Sequence, residues 1–417
     1  MEATADHGGV EVPMRGWILP ALTVATLSAG GVGVAVTDRT DPSVQQLELA
    51  AARDGGTVTL PPRTVRPFSL IGITWPDAAQ SIAGSASVRT RTDNVWSGWT
   101  PLDLEQQHGP DDAPAARGGT DPLWIGRADG VEVRIRSLGR APLPPALRLE
   151  LVNPDVSDRD AAGSQSTASA PNSATVSART SVGGSARTEA TAYPTAPPVT
   201  AAPAAAAVLP TPLVGAPALV DRAAWKADES IVDPGFAYTG APKVMFVHHT
   251  AGTNNYTCAQ SPAIIRSIHI YHTKSRKWGD IGYNFLVDKC GTVYEGRAGG
   301  AELPVYGIHT LGFNDDSVGV VVLGTYTSKG ASAAALRSLA HIAAWKLGAE
   351  AADVSGQVIL KSHAKNRYNI GNTVIFARIS AHRDGVLTEC PGTALYNQLP
   401  SIRQQAAALV KKAMTKP

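Results

Sequence analysis

Between residues 44 and 154, short β-branched and aromatic runs alternate with Gly, Pro and Asp turns. Thr57-Val58-Thr59-Leu60, Phe68-Ser69-Leu70-Ile71-Gly72-Ile73-Thr74-Trp75 and Val131-Glu132-Val133-Arg134-Ile135-Arg136 are the clearest. Many short strands at this spacing predict an all-β, sandwich-like domain. From residue 218 the pattern changes. The uniformly apolar run 244–247 predicts a buried strand, and 281–288, 318–323 and 374–380 predict three more. Helical spacing places a helix over 262–274 with Ile264, Ile265 and Ile268 facing inward, an Ala-rich helix over 332–347, and a largely helical segment over 394–414. Strands covered by helices make 218–417 an α/β domain with a mixed central sheet.

Two further segments set the organisation. Residues 155–217 are mostly Ala, Ser, Thr, Pro and Gly; such a composition has too little apolar surface to offset chain entropy and predicts a disordered linker. Residues 17–36 carry no charge, so 1–40 reads as an export signal or a membrane anchor, and Gly30, Gly31 and Gly33 favour a cleavable signal. The acidic Glu2, Asp6 and Glu11 suit no positively charged leader, which points to a start at Met14. The chain is thus expected to be secreted and cell-wall associated, or membrane-anchored if the signal stays. Its 417 residues include 37 basic and 35 acidic ones, a formal net charge of +2. That balance leaves no basic footprint for nucleic acid or an anionic membrane surface. A monomer is expected.

Candidate chemistry lies in the second domain. His248 and His249 end the first strand, and the run His382 to Gly392 supplies a second imidazole and the Cys390 thiol. Two His and one Cys suit Zn2+, and three protein ligands leave a fourth position open, as in catalytic rather than structural zinc sites. His249 follows His248 along a strand and should face the other side, in a structural role. His269, His272, His341 and His363 read as packing or surface residues. Of the three cysteines, Cys258 and Cys290 flank a helix-then-strand segment and can close a disulfide, leaving Cys390 as a thiolate; three inert thiols are the alternative. Trp75, Trp96, Trp99 and Trp124 of the first domain either line a glycan surface or fill its core.

Several motifs carry a family resemblance. Val247-His248-His249-Thr250-Ala251, Trp278-Gly279-Asp280-Ile281-Gly282-Tyr283-Asn284-Phe285, Gly291-Thr292-Val293-Tyr294-Glu295-Gly296-Arg297, Gly307-Ile308-His309, Asn314-Asp315-Asp316-Ser317-Val318-Gly319 and the run from His382 to Gly392 are collinear between residues 221 and 402. This half of the chain resembles the peptidoglycan recognition protein and type 2 N-acetylmuramoyl-L-alanine amidase family. The layout of signal, β domain, spacer and amidase resembles secreted actinobacterial proteins. The resemblance implies a mixed sheet flanked by helices and zinc-dependent hydrolysis of the amide between N-acetylmuramic acid and L-alanine in peptidoglycan or muropeptides. It implies zinc held by His248, His382 and Cys390, and a catalytic Tyr283 facing the metal's open position. Thr388 stands where some members carry a lysine; its hydroxyl can donate a hydrogen bond but supplies no cation. Glu389 is a weaker proton donor than Tyr283. For the substrate, the resemblance points to His309 in the cleft; Asn314 serves either the stem peptide or a turn, and Trp278 either a sugar or the sheet. Some members bind without cutting, so a recognition module or a cell-wall adhesin is the competing reading.

Overall fold

The structure is a computed structural model, and it describes residues 41, 43–50, 56–104, 109–111, 116–155, 211–348 and 353–415. The expected signal or anchor, the Met14 start and most of the expected linker lie outside those residues. Among the described residues, no helix is long and apolar enough to cross a membrane.

The amino-terminal domain is all β. Strands β1 (Val44–Leu49), β2 (Thr57–Trp75), β3 (Gly84–Thr92), β4 (Val95–Trp96), β5 (Thr100–Leu102), β6 (Gly118–Gly119), β7 (Leu123–Ser137) and β8 (Leu147–Val152) form one antiparallel sheet with the order β1-β8-β2-β7-β3-β4, β5 and β6 pairing β3 and β2. β2 holds nineteen residues and breaks register with β7 three times; such irregularities let one strand bend and twist further than a regular ladder allows. The sheet buries Leu47, Val58, Phe68, Ile71, Ile73, Trp75, Val133, Ile135 and Leu149 as its core. Trp75 and Trp124 are buried. Trp96 and Trp99 are half-buried beneath the guanidinium groups of Arg89, Arg91 and Arg134.

The carboxy-terminal domain is a mixed sheet between helices. Strands β9 (Leu219–Val220), β10 (Val244–His249), β11 (Phe285–Val287), β12 (Val293–Glu295) and β13 (Ser317–Val322) join a later strand, β16 (Ile379–Ala381), in the order β16-β10-β13-β11-β12-β9. The four strands β16, β10, β13 and β11 run parallel, and β12 is antiparallel to β11. A separate hairpin, β14 (Gln357–Lys361) with β15 (Thr373–Ala377), accounts for the first half of the run expected as one strand over 374–380; β16 is its second half.

Alternation explains the layering. Met245 and Val247 of β10 and Val318, Val320 and Val322 of β13 point to one face, where α2 (Ala333–Leu347) and α5 (Leu399–Met414) cover them with Leu339, Ile342, Ala343, Ile402 and Ala406. Val321 and Leu323 point to the other face, against Ile264, Ile265 and Ile268 of α1 (Ser261–Ile270). Strands covered on both sides read as continuous apolar runs, which is why β10 and β13 were legible. α1 opens on Pro262 and passes into a π turn, Tyr271–Ser275. Ser332 caps α2 by accepting the Ala335 N–H at 3.0 Å. Two short helices, α3 (His382–Gly385) and α4 (Thr393–Tyr396), precede α5. Within the stretch expected as linker, Val214 is already buried in this core.

The two domains pack on each other. Val44, Leu70, Trp124 and Val152 of the β domain share one apolar cluster with Ile264, Ile268 and Tyr271. Gly72 faces Tyr271 so closely that a Cβ there would lie 2.5 Å from the ring, which makes glycine obligatory at that point. Around this contact the Tyr271 hydroxyl donates to the Thr120 carbonyl at 2.9 Å, Ser275 donates to the buried Glu150 at 3.1 Å, and Lys274 pairs with Asp41 at 2.8 Å.

Candidate metal centre and its cleft

Strand register brings the candidate ligands together. In the parallel pair, Met245, Phe246 and Val247 of β10 stand beside Ile379, Ser380 and Ala381 of β16. One step beyond that register, His248 and His382 leave the carboxyl ends of two neighbouring strands, where sites of open α/β sheets form. Their rings lie 4.5 Å apart. The chain then turns through α3 and comes back, with the Arg383 N–H donating to the Cys390 carbonyl at 3.0 Å, so that Cys390 Sγ sits 4.0 Å from His248 Nδ1. Ligand atoms of His248, His382 and Cys390 all lie within 4.8 Å of one another.

That donor set fits zinc. Bond lengths near 2.1 Å to nitrogen and 2.3 Å to sulfur at tetrahedral angles put donors roughly 3.6 Å apart, a small contraction from the spacing present. Burial pushes the Cys390 thiol well up from its ordinary value, against the His249 N–H that donates to Sγ at 3.3 Å. A divalent cation reverses that balance, since a coordinating thiol is deprotonated outright. His248 is oriented from its other nitrogen: Nε2 lies 3.5 Å from Thr310 Oγ1, which also lies 3.0 Å from His309 Nδ1. Thr310 escaped the sequence reading, and its only signal was its place after His309.

The remaining candidates divide. Tyr283 stands beside the cluster, its ring 5.4 Å from that of His248, and burial holds its phenol protonated far above the ordinary value, with Asp121 and Cys390 adding to the shift. Thr388 accepts the Cys390 N–H at 3.1 Å, so it braces the ligand loop. Glu389 is exposed and paired with Arg383 at 3.3 Å. His249 occupies the opposite strand face, where Nδ1 accepts the Tyr326 N–H at 3.3 Å. His309 is fully buried between His248 and Phe246, and a Cβ on Gly319 would lie 2.3 Å from its ring. Trp278 is buried too, with its ring 4.3 Å from that of His272 and under the Arg276 guanidinium. Asn314 Oδ1 accepts the N–H groups of His309 and Thr310, both at 2.8 Å, which is the turn role. None of these last three is open to a ligand as the structure stands.

A cleft of about 670 Å³ opens between the domains, lined by Asp103, Asp121 and Trp124 on one side and His249, Asn254 and Glu389 on the other. It meets the chain neighbours of His248 and Cys390. Beyond the candidate metal centre, Cys258 and Cys290 are joined in a disulfide, and Cys390 is free.

A family model described as N-acetylmuramoyl-L-alanine amidase matches residues 238–393. Peptidoglycan-recognition protein SC1a/b of Drosophila simulans is 34% identical over 153 residues, which cover 37% of this chain and 69% of that protein. The chain belongs to the peptidoglycan recognition protein and type 2 amidase family. The N-acetylmuramoyl-L-alanine amidase of Homo sapiens is 32% identical over 198 residues, covering 45% of this chain and 28% of that protein. A solved structure of peptidoglycan recognition protein-LE in complex with tracheal cytotoxin is 29% identical, with a TM-score of 0.34 over 44% of this chain and 93% of that one. Outside the family's domain, a model described as Rv3811 N-terminal galactose-binding domain-like matches residues 32–176.

Proposed function

We propose that this chain is an exported, zinc-dependent N-acetylmuramoyl-L-alanine amidase that acts on peptidoglycan or muropeptides. Residues 218–417 carry the chemistry, joined by the stretch from about 211 whose Val214 enters their core; 44–154 form a β domain in contact with them, the residues between are the linker and 1–40 direct export. The observation that carries this reading is the convergence of His248, His382 and Cys390 on one point with the protonated phenol of Tyr283 beside it. The name of the matching family model and of the human relative points the same way.

When bound by these three residues, zinc would polarise the scissile carbonyl and lower the pKa of the attacking water to about 7. The protein's own groups do the rest. His248 and His382 bind as neutral imidazoles and Cys390 as a thiolate. Thr310 fixes the His248 ring through the nitrogen turned away from Cys390, and Thr388 fixes the ligand loop through the Cys390 N–H. As water adds to the carbonyl carbon and the C–N bond breaks, negative charge grows on the carbonyl oxygen and the leaving nitrogen needs a proton. Tyr283, kept neutral by burial, is the group that can donate to that oxygen or supply that proton. His309, buried on His248 and Thr310, serves as a wall of the site in the state seen.

Mass spectrometry of a defined muropeptide, incubated with the zinc-loaded protein and with a chelated control, tests this reading. Free stem peptide beginning with alanine, absent after chelation, is the expected result. Intact muropeptide that stays bound to the protein would replace the amidase with a recognition module.

A further inference from the structure

The side chains gathered at the metal centre are closed to solvent: His248, His382 and His309 are 0% exposed, and Cys390 and Tyr283 are 2% exposed. An enzyme that cuts a wall polymer has to admit sugar and peptide to these atoms. The amino-terminal domain packs directly on the loops that carry His309 and Thr310. The Asp111 carboxylate accepts three hydrogen bonds from the carboxy-terminal domain: the Gly312 N–H at 2.6 Å and the Asn314 amide at 2.8 Å on one oxygen, and the Tyr306 hydroxyl at 2.9 Å on the other. The same Asn314 amide also donates to the Gly109 carbonyl at 3.0 Å. Asn314 is the residue whose other end holds the backbone of His309 and Thr310, so the contact reaches the metal centre through one side chain.

A second segment packs on the neighbouring Trp278 and Ile308 through Ala116. The Arg117 N–H donates to the Arg276 carbonyl and the Arg276 Nε donates back to the Arg117 carbonyl, both at 2.9 Å. Arg276 in turn lies over Trp278. Asp121 then lines the interdomain cleft. We infer that residues 109–111 and 116–121 of the β domain hold the carboxy-terminal site in a closed, autoinhibited state, with the Asp111 carboxylate as its latch.

The two kinds of contact between the domains differ in what it takes to open them. The docking around Val44, Leu70, Trp124 and Val152 is apolar and buried, and separating it exposes hydrophobic surface to water. The latch is polar, its three donors are uncharged, and any other acceptor can satisfy them. Opening at Asp111 is therefore local and leaves the docked domains together. Burial raises the Asp111 carboxyl above its ordinary value despite these donors, so the ionised carboxylate favours the open state over the closed one and the latch is easily released.

Only the catalytic arm of the test depends on the amidase reading. Two of the chain's three cysteines form the disulfide, so Cys390 is its one free thiol. A thiol-reactive disulfide reagent on the full-length, zinc-free protein therefore reports access to the site without any turnover. Asp111→Ala is expected to label roughly tenfold faster than the parent, the factor that follows from losing a charge-assisted hydrogen bond. Asp111→Asn keeps the shape and one acceptor and should fall between the two, which guards against a variant that merely folds badly. In the zinc-loaded full-length protein, Asp111→Ala should release stem peptide from a defined muropeptide faster by a similar factor. Faster labelling with no cleavage by any variant supports the latch and sinks the amidase reading. Unchanged labelling in both variants overturns the latch, whatever the parent cleaves.

Discussion

Among the described residues, two groups of three hold their candidate donor atoms within 4.8 Å of one another: His248 with His382 and Cys390, and Cys258 with Asp288 and Cys290. Only the first has donors to give. The sulfurs of the second are bonded to each other, and Asp288 is already saturated by the N–H groups of Cys290 and Thr292, both at 2.9 Å, and by the hydroxyls of Ser261 at 3.0 Å and Tyr294 at 3.2 Å. The first group is fully buried, whereas in the second Cys258 is half-buried and Cys290 exposed. Proximity of sulfur and carboxylate is thus a poor guide by itself. What separates a binding group from a staple is whether the lone pairs still face a common point.

Breaking the two groups should have different consequences. Cys390→Ser replaces a soft ligand by a hard, weakly acidic hydroxyl, so zinc affinity and amidase activity should collapse. Activity is expected to fall by roughly three orders of magnitude, the scale of several kcal/mol of lost transition-state stabilisation, with the circular dichroism spectrum unchanged. Full activity in this variant would remove Cys390 from the ligand set. The double variant Cys258→Ser/Cys290→Ser should leave one zinc per chain and lose stability instead. Its cysteines are 32 residues apart in sequence, and a loop of that size restrains the unfolded chain by roughly 3 to 4 kcal/mol in the chain-entropy account. Chemical denaturation measures that loss; a drop in bound zinc without one would mean that the second group, too, serves the metal.

Much of the first group was legible before any fold was known, because its members sit at places that pattern reveals. His248 closes an apolar run that is a strand buried on both faces, and His382 follows a run whose end is the short buried strand β16. The disulfide was legible as one of two readings of three cysteines. The contact between the domains was not. Asp111 lies in a turn-rich stretch with no periodicity, and its partners Tyr306, Gly312 and Asn314 are some two hundred residues away. Val44, Leu70 and Trp124 looked like ordinary members of a self-contained β domain, and nothing in their spacing says that their neighbours include α1. Contacts made by docking two finished surfaces leave no period in either sequence. The same reason bears on Trp278 and Asn314, each open in sequence to a ligand role or a packing role, which here contact the protein's own groups.

Within the first group the next question is which residue does chemistry and which holds geometry. Tyr283→Phe keeps the ring that packs 5.4 Å from His248 and removes only the hydroxyl. Turnover should fall roughly a hundredfold, the lower end of what a general acid or an oxyanion donor contributes, while bound zinc stays at one per chain by metal analysis. Loss of zinc from this variant would make the tyrosine structural.

Thr310 should produce the smallest effect, and it separates positioning from ligation. Thr310→Val is close in shape, so packing around His309 survives, but the hydroxyl shared between His248 Nε2 and His309 Nδ1 is gone. Partners that orient a ligating imidazole change metal affinity by roughly 10 to 100-fold. The 3.5 Å separation from His248 is at the outer limit of a hydrogen bond, which puts the expected loss near the tenfold end. Competition for zinc against a chromogenic chelator reads it directly. A loss as large as that of Cys390→Ser would mean that the His248 ring has no other restraint, while an unchanged affinity would mean that β10 and the neighbouring rings of His382 and Tyr283 position it without help.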